Sequence, residues 1–265
     1  MEKYLIIDIA LISTHAFLWI GYHILLTLAV RFRPLYTTQG MNNVVRKQWI
    51  YWIMKNTASN AILAVQTMRN IITAGSFLST VSITLGLAFL NYSLGSNNMS
   101  KYAYLGSKDT NLVFVKIMLM FLCMIFSFFN FVICIRNLNH ATNLVSLPPE
   151  ARRLVLMTEA EVSPKNAAHV YNRGMLHFTL GMRGYYILVP FVLWIFGPVF
   201  MFVSSCIMLA LLVMLDKAAI MKIKPKREKP VLKVETEAQQ QQRGNAPDLG
   251  GGEREIQIEL EATTV

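Results

Sequence analysis

Four runs of apolar residues, each long enough to cross a lipid bilayer, constrain this chain more than any other feature of its sequence. They cover residues 5–30, 71–94, 112–135 and 187–215. A spanning helix needs about 20 mostly apolar residues, and none of the four shows the apolar–polar alternation of a barrel strand. Helices follow, because only a helix satisfies its own backbone in hydrocarbon. Composition agrees: 54% of residues are apolar and 15% charged, against roughly 45–50% and about 25% in soluble domains. A soluble enzyme, a disordered regulator and a small disulfide-stapled domain are excluded.

The sequence therefore predicts an all-α integral membrane bundle. Residues 1–221 make a four-helix transmembrane domain, and a basic, Gln-rich tail at 222–265 is expected to be disordered. The first run is too long for the hydrophobic region of a signal peptide, roughly 7–15 residues, and reads as an uncleaved span. Between the first two runs, Trp49, Tyr51 and Trp52 mingle with Arg46, Lys47 and Lys55. That mixture suits an interfacial amphipathic helix or an extension of the second span. Pro148-Pro149 breaks the long connection between runs three and four, and Ser163-Pro164 reads as an N-cap with a first-turn proline. There is no internal repeat.

Basic residues set the expected sidedness. Arg31, Arg33, Arg46, Lys47, Lys55 and Arg69 flank one connection, and Arg136, Arg152, Arg153, Lys165, Arg173 and Arg183 the other. The opposite side has Lys3, Lys101, Lys108 and Lys116. The N-terminus is thus expected outside or in a lumen, in the plasma membrane or an endomembrane. Sequons at Asn91 and Asn98 fit an outward short loop. The tail conflicts with this. Lys217, Lys222, Lys224, Lys226, Arg227, Lys229 and Lys233 follow the fourth run, and four crossings put them outside. Gly197-Pro198 offers two readings, a hairpin or a kink. Each arm of a hairpin within the run would be only about 20 Å long against a core of ~30 Å, so the kinked single helix is preferred.

The net charge is +10, yet no nucleic-acid motif accompanies it; the lipid bilayer, with anionic head groups, is the expected partner, and a homo-oligomer is allowed. Cys123, Cys134 and Cys206 all lie in apolar runs and read as buried thiols. Asp8, His15 and His23 share a stripe of the first span, and Asn130 lies in the third. Ionisable groups in a span mark an ion path or a metal site; the plainer reading solvates Asp8 at the membrane edge and bonds His15 to a neighbouring helix. Gly75, Ser79, Ser82 and Gly86 form a small-residue face suited to helix packing. Arg69, Asn70, Arg136, Asn137, His140 and Arg183 border the apolar runs and, with Arg31 and Arg33, are the candidates for a cytosolic pocket for an anionic head group; snorkelling anchors are the plainer reading. His140, His169 and His177 have no metal-ligand spacing, and no nucleophile elbow, P-loop or dinucleotide turn is present. No catalytic residue, metal or cofactor is expected. Thr263-Thr264-Val265 has the shape of a PDZ ligand.

Several blocks resemble one family. RFRPLYTTQGMNNVVRKQW (31–49), AVQTMRN (64–70), RNLNHATNLVSLP (136–148), YNRGMLHFTLGMRGYY (171–186) and PFVLWIFGP (190–198) resemble, in order and spacing, a plant member of domain-of-unknown-function family 599, DUF599. The resemblance covers about residues 5–217 and implies a multi-pass membrane protein. It carries no activity, ligand or catalytic residue.

The expected role is structural, scaffolding or lipid-contacting, and non-enzymatic. One rival is an oligomeric transporter or channel using the Asp8/His15/His23 stripe. Another is a membrane-embedded enzyme acting on lipid through His140, His169 or His177.

Overall fold

The computed structural model describes residues 2–95, 110–148 and 162–218. The basic tail, Thr263 to Val265, the Asn98 sequon, Lys101, Lys108, Pro149, Arg152 and Arg153 lie outside the described residues.

Where helices begin follows from local chemistry. Helix α1 is Glu2–Phe32, and a 3-10 turn at Pro34–Tyr36 leads to α2, Thr38–Lys55. Thr37 caps α2: its hydroxyl oxygen accepts from the Gly40 amide at 3.1 Å. Helix α3 is Thr57–Gly95 and α4 is Thr110–Ser146. Helix α5, Pro164–Trp194, starts at the expected cap, with the Ser163 hydroxyl accepting from the Asn166 amide at 3.2 Å and proline in the first turn. Helix α6 is Pro198–Asp216.

Five of these helices, all but α2, are long and apolar enough to cross a membrane. The expectation of four is corrected here, and so is the single span at 187–215. Two helices share that stretch. Gly197 adopts φ 157° and ψ 158°, a region open essentially to glycine alone. Pro198 follows it and lacks the amide that would continue α5. Both residues sit in a hairpin, with Phe196 N donating to Leu193 O at 3.2 Å and Met201 N to Gly197 O at 3.3 Å. The length objection to a hairpin disappears because α5 begins far upstream. Its 31 residues run about 46 Å, and the 19 of α6 about 28 Å.

In space α3 packs on α4, α4 on α5, α5 on α6 and α6 on α1, while α2 lies across α5. The end of α6 returns beside the α1–α2 turn. Thr37 and Lys217 form an antiparallel bridge, Ala218 N donates to Tyr36 O at 3.1 Å, and the Thr38 hydroxyl donates to Leu215 O at 3.0 Å. Arg31, Arg33 and Lys217 therefore share one end of the bundle.

Two separate cores result. At the end carrying α2, Ile50, Ile53, Met68, Leu138, Val145 and Tyr171 pack together. Toward the hairpin, Ile117, Met120, Met124, Leu188, Trp194 and Met201 form the second. Helix α2 is amphipathic: Ile50, Ile53 and Met54 are buried, whereas Val44, Val45, Tyr51 and Trp52 are exposed. The Gly75/Ser79/Ser82/Gly86 face is buried, and its end glycines lie against Ile135 and Met124 of α4. Helices α4 and α5 approach still more closely. A Cβ on Gly184 would stand 1.9 Å from Ser127 Oγ, and one on Gly181 2.7 Å from the Phe131 ring.

Candidate functional site

Charged side chains inside the apolar bundle gather in two clusters. The first joins α1, α4 and α5 near the hairpin. Lys116 Nζ lies 3.7 Å from Asp8 Oδ1, donates to Trp194 O at 3.2 Å and stands 4.8 Å from the centre of the Trp194 ring. Trp194 Nε1 donates to the same Asp8 oxygen at 3.0 Å. Both charged side chains are 1% exposed, so Asp8 is fully enclosed and not solvated at an edge. Burying a charge is tolerable only when it is paired and hydrogen-bonded, and each partner here has both.

The second cluster joins α1, α5 and α6. Arg183 Nη2 donates to both carboxylate oxygens of Asp216, at 2.6 Å and 2.5 Å. The Tyr22 hydroxyl donates to Asp216 Oδ2. Arg183 Nη1 is buried and has no hydrogen-bond partner. The guanidinium also faces the Tyr186 ring, 5.9 Å from its centre.

Between the clusters, His15 Nδ1 is 2.8 Å from Ser205 Oγ on α6, and Trp19 Nε1 donates to that oxygen at 3.0 Å. His23 Nδ1 is 2.8 Å from Trp19 O, and its ring stacks on Trp19 at 5.7 Å. Asn130 and His177 meet at 2.9 Å between Oδ1 and Nδ1. Among the described residues no three His, Cys, Asp or Glu side chains are placed to hold a metal ion.

Near the hairpin α1 is fastened to α4 and α5 through Asp8; from His15 to Tyr22 it is fastened to α6, which leaves a gap on its α4–α5 side. The gap is a cavity of about 710 Å³ between α1, α4 and α5. Ile20, Ile24 and Leu28 form one wall, Leu119, Leu122, Cys123 and Phe126 the second, and Leu180, Gly184 and Ile187 the third. His23, Thr27 and Arg183 are the chief polar groups on it. Ile20, Ile24, Leu28, Leu122 and Phe126 are exposed, so the cavity opens on the side of the bundle.

A smaller pocket of about 290 Å³ lies between α2, α5 and α6, lined by Thr38, Gln39, Asn42, Arg46, Thr179, Tyr186 and Asp216 among others, and again by Arg183. Arg46 is held there by amides: its Nε donates to Asn172 Oδ1 at 2.8 Å and its Nη2 to Asn43 Oδ1 at 2.6 Å. Among the described residues it pairs with no carboxylate. Burial draws its guanidinium below the ordinary value, and the neighbouring Tyr171 phenol opposes that shift. The group remains a cation, since arginine starts so high.

The residues expected to line one anionic pocket are not gathered together. Arg69, Asn70, Arg136 and His140 lie exposed on α3 and α4. Asn137 packs near Gly174 and donates to Ile133 O at 2.9 Å. Arg183 is 8% exposed and, through Gly184, sits beside Ser127, about 13 Å along α4 from Arg136. Its companions are Asp216, Tyr22 and the Arg46 pocket. Sequence reasoning missed Asp216, Tyr22, Lys116 and Ser205. The one available signal was an acid, Asp216, directly at the end of the last apolar run.

A family model described as "Protein of unknown function, DUF599" matches residues 10–219. The chain belongs to this family. No curated protein and no solved structure matches it. The DUF599 region takes in both cavities and the whole Arg183–Asp216–Tyr22 cluster, and its description assigns no activity.

Proposed function

We propose that this DUF599 protein is a multi-pass membrane protein with five crossings that holds a bilayer amphiphile in the cavity between α1, α4 and α5. The side-opening cavity carries this reading. Its volume, about 710 Å³, falls within the ~300–1,000 Å³ of small-molecule sites. Its walls are hydrocarbon-like, and its mouth is rimmed by exposed Ile, Leu and Phe side chains. Such a site is reached from the bilayer and has little to offer a hydrated solute.

Five crossings also remove the charge conflict. With the hairpin at Gly197-Pro198, Lys217 joins Arg31, Arg33 and Arg46 on one side, which is the cytosolic side by the positive-inside rule. The N-terminus is then outside or luminal.

Native mass spectrometry of the full chain, purified in mild detergent, tests the reading. Retained lipid is expected, and less of it after Ile24→Trp or Leu122→Trp, which fill the mouth from opposite walls at exposed positions. Retention by both variants equal to that of the parent chain, with unchanged thermal stability, would overturn the assignment.

A further inference from the structure

Arg183 is the residue that the two cavities share. On one side lies the apolar cavity. On the other lies the polar pocket under α2. We propose that the amphiphile is an anionic phospholipid, with its phosphate in the α2 pocket against Arg46 and Arg183 and its acyl chain in the α1–α4–α5 cavity. This inference rests on the amphiphile reading above and names its ligand.

Charge argues first. The α2 pocket is lined by two guanidinium groups, Arg46 and Arg183, and one carboxylate, Asp216. One positive charge is left over. Arg46 carries it, since amide oxygens of Asn43 and Asn172 orient its guanidinium without neutralising it. A phosphate oxygen is the acceptor that a partly buried arginine in this state lacks.

Hydrogen bonding argues second. Asp216 uses only Nη2 of Arg183. Nη1 stays buried without a partner, although buried donors are nearly always satisfied. Thr38, Gln39, Asn42 and Thr179 add further polar groups to the same walls.

Direction argues third. The α2 pocket lies at the end of the bundle shared by Arg31, Arg33 and Lys217, where head groups of the basic leaflet would sit. From there the cavity extends along α1 from Leu28 to Trp19, about 13 Å toward the hairpin. A head group at the basic end with its chain pointing inward is how a lipid of that leaflet is oriented.

The test is competition between phosphatidic acid and phosphatidylcholine of identical chains for the purified full-length protein, read by native mass spectrometry. Phosphatidic acid should be preferred by roughly tenfold or more, as a charge-assisted contact implies. Arg46→Gln should abolish the preference while phosphatidylcholine is still retained. Asn42→Asp should do the same by placing a negative charge in the pocket with the Arg46 hydrogen bonds intact, which covers the case of an unstable Arg46 variant. Ile24→Trp should reduce both lipids alike. Equal retention of the two lipids by the parent chain, or a preference that survives both pocket variants, would overturn the head-group assignment and leave the amphiphile cavity standing. Retention of neither lipid would sink both. Inorganic phosphate that competes for binding without any lipid being retained would show a soluble-anion site and overturn the link to the cavity.

Discussion

Arg183 and Asp216, 33 residues apart, face each other because the chain reverses at Gly197-Pro198: one guanidinium nitrogen, Nη2, holds both carboxylate oxygens. The pair couples α5 to α6, and Tyr22 extends the link to α1. Breaking a buried pair by removing one partner leaves an uncompensated charge and costs about 3–5 kcal/mol, whereas replacing both by apolar groups is often close to neutral. Arg183→Leu should therefore lower the melting temperature in detergent sharply, and Arg183→Leu with Asp216→Leu should regain much of the loss. Additive destabilisation by the two changes would show that the pair is not coupled.

Helices α4 and α5 touch where α5 has no side chain. A Cβ at position 184 would meet Ser127 Oγ at 1.9 Å and Cys123 O at 3.2 Å. Overpacking of this kind costs typically 1–3 kcal/mol. Gly184→Ala should destabilise by at least that amount, and a second change, Ser127→Gly, should restore part of it by removing the closer obstacle. Thermal unfolding of the single and double variants measures both effects. A neutral Gly184→Ala would mean that the two helices are farther apart than described.

How much of this was legible in the sequence depended on whether a helix hides its polar residues. Helices α1, α3 and α4 contain long, mostly apolar stretches, and length alone locates them. Helix α5 carries Asn172, Arg173, His177 and Arg183, which dilute its apolar signal, so that its start at Ser163-Pro164 is legible but its reach across the bundle is not. Most of these side chains have partners on other elements: Asn172 on Arg46, His177 on Asn130, Arg183 on Asp216. Hydropathy counts the polar atom and cannot see the partner. Lys116 counts among the cations of the outer side for the same reason, while its charge is buried against Asp8. The site was legible only in part. Arg183 stood out as a cation at the edge of a run, but the residues that give it meaning arrive through the hairpin and through α2 crossing α5. The basic residues at helix ends, Arg69 and Arg136, looked equivalent to it and are exposed.

The hairpin itself depends on backbone freedom. Gly197 has φ 157° and ψ 158°, and holding a residue with a side chain there costs on the order of 1–3 kcal/mol. Gly197→Val should lower the melting temperature. Pro198→Ala should be tolerated much better, because α6 can start at other residues while φ at 197 remains the constraint. Equal effects of the two would indicate that proline, not glycine, sets the turn.

Sidedness separates five crossings from four. The bridge between Thr37 and Lys217 places the start of α2 and the end of α6 at the same end of the bundle, while a single kinked fourth span would put them on opposite faces. In a chain whose Cys123, Cys134 and Cys206 are replaced by serine or alanine, Lys47→Cys and Lys217→Cys should behave alike toward a membrane-impermeant maleimide. Both should be labelled only after the cells are permeabilised, as the positive-inside rule predicts for the end of the bundle that holds the basic residues. Lys3→Cys should be labelled without permeabilisation, or from the lumen of sealed vesicles if the protein resides in an internal membrane. Opposite accessibility of positions 47 and 217 would refute the hairpin. Shared accessibility from outside would keep the hairpin and invert the bundle, moving the Arg46 pocket, and the anionic lipid proposed for it, to the other leaflet.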